Sequence, residues 1–317
     1  MNLKQGLFQI LIGTCLVYNC QEVKVDKDQA KSEQYITVLG IAQDAGYPQV
    51  SCEKECCELF HDGKENRKRV SSLGLIDKDT HEKWLFDATP DMTSQLDDLK
   101  RDHINSQQVI NGIFLTHAHI GHYTGLMYLG KEALGAKNIP VYAMPRMKTF
   151  LENNGPWSQL VSLENMDLKE LQNEEEVTLN SNLKVTPFLV PHRDEFSETV
   201  GYKIQGKNRS ALFIPDINKW ELWKKNIVEE VKKVDYAFLD ATFFQDGEIP
   251  RPMSEVPHPF IMETVKLFEN EPEKTRSKVI FIHFNHSNPA ILNSHELQDQ
   301  IKDLGFKFAK EGDDYNL

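Results

Sequence analysis

The fold of this chain is decided at residues 115–125, which read LTHAHIGHYTG. Three histidines, His117, His119 and His122, fall within six residues directly after the apolar run of a predicted strand. In an extended chain, side chains two residues apart point to the same side, so His117 and His119 would converge. Converging imidazoles are a typical ligand set for zinc. The stretch therefore predicts a metal-binding turn between a strand and a helix.

Three further residues of ligand type follow predicted strands later in the chain. His192 follows FLVP, Asp216 follows ALFIP, and His283 follows VIFI. Imidazoles and carboxylates are ligands that zinc and related metals accept, and a strand end can direct each of them at a common point. The sequence thus places six candidate ligands on four separate segments.

The segment THAHIGH resembles the His-x-His-x-Asp-His signature of the metallo-β-lactamase fold superfamily. The segments LGIAQDAGYPQVSC (39–52), LFDATPD (85–91) and IHFNHSNP (282–289) resemble the branch of that superfamily containing pyrroloquinoline-quinone biosynthesis protein B. The resemblance implies an α/β (α+β) fold, a four-layer αββα sandwich of two mixed sheets flanked by helices. Strand pairs interspersed with helices in each half favour the same arrangement. We expect residues 35–317 to form this single domain.

The resemblance also implies how the ligands divide between two metal ions. Three imidazoles would hold the first ion, two would hold the second, and one carboxylate would be shared. The imidazoles of the first ion are His117, His119 and His192. Those of the second are His122 and His283, and the shared carboxylate is Asp216. The expected cofactor is Zn²⁺, one or two ions, and iron also suits imidazole and carboxylate ligands.

Gly121 stands where the signature carries an acid. Its missing carboxylate lowers the number of ligands at the second site, which predicts a second metal bound more weakly than the first. Asp194 or Glu195, just beyond His192, could substitute for the acid, as could Asp87 at the end of WLFD. We favour a bracing role for Asp87, because a metal-bound imidazole needs an acceptor for its other N–H.

Three residues are candidates for catalysis: Asp216, Asp194 and His258. Asp216 would hold the metals, and Asp194 would accept a proton from bound water. His258, in EVPHPF, is placed near the cleft by the resemblance, and a purely structural role for it stays open.

A cysteine-rich loop forms a second candidate metal site. Cys52, Cys56 and Cys57, with His61 four residues on, supply three sulfurs and one imidazole, a closed structural zinc set. In an oxidising compartment, a disulfide from Cys52 to Cys56 or Cys57 competes with the metal. The resemblance favours the metal, since relatives carry cysteines in this loop.

The first residues resemble a bacterial lipoprotein signal. Residues 1–20 contain an apolar stretch too short to span a bilayer comfortably and end at Cys20, and residues 21–34 are polar without periodicity. We expect an exported lipoprotein of the periplasm or cell envelope, tethered by residues 21–34 and anchored through Cys20, with Cys15 as a second candidate acceptor. The alternative is a cytoplasmic protein with an uncleaved start.

The net charge of the chain bears on which class of substrate it binds. The chain carries 36 basic and 48 acidic residues, a formal net charge of −12, which disfavours a nucleic-acid partner. We expect a small-molecule substrate, an ester, thioester, amide, lactone or phosphoester, attacked by a metal-bound hydroxide. The alternative is non-haem iron chemistry, because His122, His283 and Asp216 form a two-histidine, one-carboxylate set. A non-catalytic accessory protein is disfavoured, because the other six ligands are all present.

Overall fold

The structure, a computed structural model, describes residues 32–250, 252 and 255–317. The predicted signal over residues 1–20, with Cys15 and Cys20, lies outside the described residues, as does most of the predicted tether over residues 21–34. Across the part that is described, no helix has both the length and the apolar character needed to cross a membrane.

Strands make up most of the fold, and their side chains show why. In the first strand, Ile36 and Val38 join one buried cluster while Tyr35 and Leu39 join another, so both of its faces are covered. The described residues form β1 (Gln34–Gly40), β2 (Ser72–Asp77), β3 (Glu82–Phe86), β4 (Gly112–Phe114), β5 (Ile139–Ala143), β6 (Met166–Glu170), β7 (Val177–Thr178), β8 (Lys184–Leu189), β9 (Val200–Gln205), β10 (Ser210–Ile214), β11 (Tyr236–Asp240), β12 (Val279–Ile282), β13 (Lys307–Phe308) and β14 (Asp314–Asn316).

The strands form two sheets of similar design. The first has the order β14-β1-β2-β3-β4-β5-β6 and the second has the order β13-β12-β11-β10-β9-β8-β7. In the first sheet, pairing is antiparallel from β14 to β3 and parallel from β3 to β6. In the second, it is antiparallel from β7 to β10 and parallel from β10 to β13. Both sheets are therefore mixed, as predicted.

Helices pack on the outer faces of the sheets. Met92 and Leu96 of one helix and Met147 and Leu151 of another join the buried cluster on the first sheet, while Ile261 joins the cluster that includes the second. The helices are α1 (Glu55–His61), α2 (Met92–Asp98), α3 (Ile120–Tyr123), α4 (Pro145–Asn153), α5 (Trp157–Ser162), α6 (Ile227–Lys232), α7 (Ile261–Leu267), α8 (Glu273–Arg276) and α9 (Glu296–Asp303). This layering confirms the predicted αββα sandwich.

Aromatic side chains join the two sheets. The ring centroid of Phe86 on β3 lies 5.1 Å from that of Phe114 on β4 and 5.3 Å from that of Tyr202 on β9. Such stacked and edge-to-face pairs add to the hydrophobic stabilisation of a core. The packing fixes the register of the sheets and thereby the positions of the loops that follow their strands.

Candidate metal centre

The predicted ligands all lie just beyond the carboxyl ends of strands. The histidine turn follows β4, His192 follows β8, Asp216 follows β10 and His283 follows β12. Gly125 closes the turn against the loop after β3, where a Cβ on residue 125 would lie 2.9 Å from the carbonyl oxygen of Ala88. The strand ends meet at one edge of the sandwich, and the candidate ligands meet there with them.

One group of ligand atoms matches the first predicted set. Single ligand atoms of His117, His119, His192 and Asp216 all lie within 4.8 Å of one another. Oδ2 of Asp216 is 3.4 Å from Nε2 of His117 and 3.2 Å from Nε2 of His192. Nε2 of His117 and Nδ1 of His119 are 2.8 Å apart. Imidazole nitrogens that converge on a carboxylate oxygen in this way form a donor set suited to zinc.

A second group lies beside the first and contains a residue that sequence reasoning missed. Ligand atoms of His122, His283 and Asp44 lie within 4.8 Å of one another. Nε2 of His122 is 3.3 Å from Nε2 of His283 and 3.4 Å from Oδ1 of Asp44. The ring centroids of His117 and His122 are 4.2 Å apart, so the two groups are neighbours.

Asp44 is a carboxylate beside the second pair of imidazoles that the sequence prediction did not include. It lies in the loop after β1, next to Gly121. The sequence held one signal for Asp44, an acid soon after a predicted strand. It lies in the segment 39–52, which we used only for the resemblance and not for ligands.

The imidazoles are braced through their other ring nitrogens. Nδ1 of His122 lies 2.7 Å from Oδ2 of Asp87, which also accepts a hydrogen bond from the Thr116 amide through Oδ1 at 2.8 Å. Nδ1 of His283 lies 3.0 Å from Oγ1 of Thr242. Asp87 and His283 both hold left-handed backbone, with φ of 67° and 69°. Such conformations are costly for residues other than glycine, and here they fall at the site itself.

His258 also belongs to the centre. Its Nδ1 lies 2.9 Å from Oδ2 of Asp240 and 3.1 Å from Oδ1 of Asp216. Its ring lies 5.5 Å from that of His192 and 6.4 Å from that of His283, between the two groups. Asp240 was missed, although it ends the strand-like run YAFLD and carries the same signal as Asp216.

The charges of these groups depend on one another. Burial and the neighbouring charge of His122 lower the pKa of His117 well below its usual value. Burial would raise the pKa of Asp216, but the charges of His192 and His258 and the contact with His117 outweigh it and hold this pKa well below its usual value. For His258, burial is outweighed by the charges of Asp240 and Asp216, which raise its pKa to about 10. The centre thus combines imidazole nitrogens with ionised carboxylates.

The structure does not bring Asp194 to this centre. Its side chain is 65% exposed and pairs with Arg146, since the loop turns outward after His192. Glu195 is also largely exposed, and its Oε2 lies 3.9 Å from Nε2 of His119. This geometry therefore gives no support to the prediction that Asp194 is catalytic.

The cysteine loop forms a different group from the one predicted. Cys52 and Cys56 lie with His286, their ligand atoms within 4.8 Å of one another. His61 is exposed at the end of α1 and is not part of the group. Neighbouring residues on a helix point about 100° apart, so Cys57 faces the core, where burial raises the pKa of its thiol to about 12. All three thiols are free.

An αββα sandwich with histidines and carboxylates at one edge defines the metallo-β-lactamase fold. Residues 83–284 match the family model described as the beta-lactamase superfamily domain, and the chain belongs to this superfamily.

Within it, the chain is similar to coenzyme PQQ synthesis protein B from Gluconobacter oxydans, with 22% identity covering 89% of this chain and 98% of that protein. The protein of the same name from Pseudomonas putida is 24% identical, covering 88% and 98%. Among solved structures, Zn²⁺-bound PqqB from Methylobacterium extorquens has a TM-score of 0.74 at 19% identity, covering 89% of this chain and 100% of that chain. These relatives confirm the resemblance to that branch.

Proposed function

We propose that this protein is a metal-dependent hydrolase of a small-molecule ester, thioester, amide, lactone or phosphoester. The observation that carries the proposal is the position of Asp216. Its Oδ2 faces the imidazoles of His117 and His192, while its Oδ1 faces His258. One carboxylate therefore joins a ligand set to a buried group that can exchange a proton.

The residues fit a metal. His117, His119, His192 and Asp216 would hold the first ion, and His122 and His283 would hold a second with a shared carboxylate. A bound divalent ion supplies an activated water and stabilises the charge that develops on the substrate oxygen. The braces described above orient the imidazoles, as a preorganised centre requires.

His258 is the residue placed to protonate a leaving group. Its Nδ1 is engaged by the carboxylates of Asp240 and Asp216, which fix the ring and favour its protonated form. We assign it the role of general acid, with Asp240 as its positioning residue. In this assignment, Asp240 is the carboxylate that holds the imidazole of His258 in position.

A second candidate function is iron-dependent oxygen chemistry. The group of His122, His283 and Asp44 is a two-histidine, one-carboxylate set, which is the arrangement of many non-haem iron sites. The metal bound by the purified protein separates the two candidates, since zinc does not change oxidation state.

The test of hydrolysis uses zinc-loaded protein and chromogenic p-nitrophenyl esters and phosphodiesters, with thioesters and lactones alongside. We expect turnover of at least one class, abolished by a chelator and by Asp216→Ala. Equal rates for the zinc protein and Asp216→Ala on every substrate would overturn the proposal.

The location is a separate proposal that rests on the N-terminal sequence. We propose that the chain is exported and anchored through a lipid on Cys20. Labelling of cells with a radioactive fatty acid should mark the wild-type protein and not Cys20→Ser. If Cys20 is the acceptor, Cys15→Ser is labelled as strongly as the wild type, whereas Cys20→Ser carries no label. An unlabelled wild type would contradict anchoring.

A further inference from the structure

The loop that carries Asp44 is fixed against the segment that carries His283. The Gln43 amide donates a hydrogen bond of 2.8 Å to the carbonyl of Phe284, the residue after His283. The Ala42 amide donates to the carbonyl of Arg69 at 2.9 Å. Asp44 is therefore held in place by the backbone contacts of the two residues that precede it.

Gly121 leaves the space that Asp44 fills. A Cβ added to Gly121 would lie 2.5 Å from Cα of Asp44 and would also collide with Oδ1 of Asp44. Contact of that kind with a backbone atom cannot be relieved by rotating a side chain. Thus residue 121 can carry a side chain only if the Asp44 loop moves, and Asp44 occupies the volume into which that side chain would project.

The carboxylate of Asp44 lacks a partner for one oxygen. Oδ1 is buried and makes no hydrogen bond within the described part of the chain. Nε2 of His122 lies 3.4 Å from it, while Oδ2 accepts from Nε2 of Gln43 at 3.3 Å. A buried carboxylate oxygen without a hydrogen bond is costly unless a cation satisfies it. The oxygen lies beside two imidazoles, where a metal ion would supply that charge.

We propose that Asp44 is the carboxylate ligand of the second metal, with His122 and His283, and that it takes the place of the acid that the metallo-β-lactamase signature carries at position 121. The acidic ligand thus comes from the loop after β1 instead of the histidine turn. Glycine is required at position 121, because a side chain there would collide with Asp44. The inference rests on the metal centre of the proposed function. It makes the second site complete rather than weakened.

Reciprocal exchange tests the proposal, with zinc alone as the probe. We compare Asp44→Gly, Gly121→Asp and the double variant Asp44→Gly/Gly121→Asp by titration of metal-free protein and by zinc content after dialysis. Asp44→Gly should weaken the second zinc by at least about 10- to 100-fold, the range found even for outer partners of ligands. Gly121→Asp should also weaken it, because the new Cβ displaces Asp44. The double variant should recover most of the affinity.

Glu195→Gln is the matched control, since it removes another carboxylate close to the histidines and should leave the second zinc unchanged. Asp44→Asn, which keeps the size of the side chain, extends the test to a variant that needs no rearrangement of the loop. An unchanged second zinc in both Asp44→Gly and Asp44→Asn would overturn the proposal, and so would a folded double variant no tighter than Asp44→Gly. Zinc binding is measured without a substrate, so failure to find hydrolysis leaves this result intact.

Discussion

Oδ2 of Asp87 lies 2.7 Å from Nδ1 of His122, on the opposite side of the imidazole from Asp44. The brace leaves Nε2 of His122 facing the second group of ligand atoms. We expect Asp87→Asn to weaken zinc at the second site by about 10- to 100-fold, the typical effect of removing such a partner. Competition with a chromogenic chelator measures the change.

Asp77→Asn is the control for Asp87. Asp77 is also a fully buried carboxylate, at the opposite end of the β2–β3 hairpin, where Gln34, Asn180 and Asn182 bind it. Its substitution should lower the thermal midpoint and leave zinc affinity unchanged. Equal zinc affinity of Asp87→Asn and wild type would show that Asp87 supports the fold rather than the metal.

The loss of activity in His258→Asn should depend on the leaving group of the substrate. A general acid matters when the leaving group is a poor one, such as an alkoxide, and matters little for p-nitrophenolate. We expect a loss in kcat/KM of about 10²- to 10⁴-fold for the poor leaving group and a much smaller loss for p-nitrophenolate. Asp240→Asn should show the same selectivity in weaker form.

The zinc content of His258→Asn is the control measurement for this prediction, because His258 is not assigned as a metal ligand. The variant should retain its metal. Equal losses on both kinds of substrate, or loss of zinc, would remove His258 from the role of general acid.

The cysteine group should bind one further zinc through Cys52, Cys56 and His286. Burial and the charge of Lys54 lower the pKa of His286, which keeps its imidazole neutral and able to bind metal. We expect His286→Ala and Cys52→Ser each to lose about one zinc per chain, whereas His61→Ala should lose none. The reverse result for the two histidines would restore the set predicted from the sequence.

Glu248 should make stability depend on pH. Burial raises the pKa of its carboxyl to about 7, although the amides of Phe244 and Gln245 act in the opposite direction. The folded state then holds this proton more tightly than the unfolded chain, so stability falls as pH rises from about 4.5 to about 7 and is constant above. The effect is at most about 3 kcal/mol.

Glu248→Gln should remove that dependence. Chemical unfolding at pH 5 and pH 8 gives the free energy of unfolding for wild type and variant, and the wild type should lose more on going to pH 8. The exposed Glu221→Gln serves as the control. Parallel pH profiles for wild type and Glu248→Gln would contradict the prediction.

Much of the fold could be predicted because its signals are local. The hairpin of β2 and β3 follows from two apolar runs around the polar turn KDTHE, and the ligand-bearing strands end where the apolar runs end. After the histidine turn, YTGLMYLGKEALGA (123–136) has the spacing of a helix, but the structure holds no long regular helix there. A 3₁₀ helix covers Thr124–Leu129 and turns follow it, since Gly125 and Gly135 favour close packing and a left-handed backbone over a regular helix.

The site was predicted only where ligands form a recognised motif. His117, His192 and Asp216 follow a pattern of order and spacing that the superfamily shares. Asp44 and Asp240 enter through tertiary contacts, across 78 residues to His122 and 18 residues to His258. Their one local signal, an acid at or soon after a strand end, does not set them apart from other acidic residues. No local pattern links His286 to its group either, since Cys52 and Cys56 lie far from it in the sequence.

The most direct test of the account is elemental analysis of the protein purified without added metal, beside Asp216→Ala. We predict zinc as the metal and about one to two zinc ions fewer per chain in Asp216→Ala, because this carboxylate would hold the first ion and, in the proposed centre, would be shared with the second. The zinc predicted at the cysteine group should be retained in both proteins. Iron as the main metal, or the same zinc content in both proteins, would contradict the central claim.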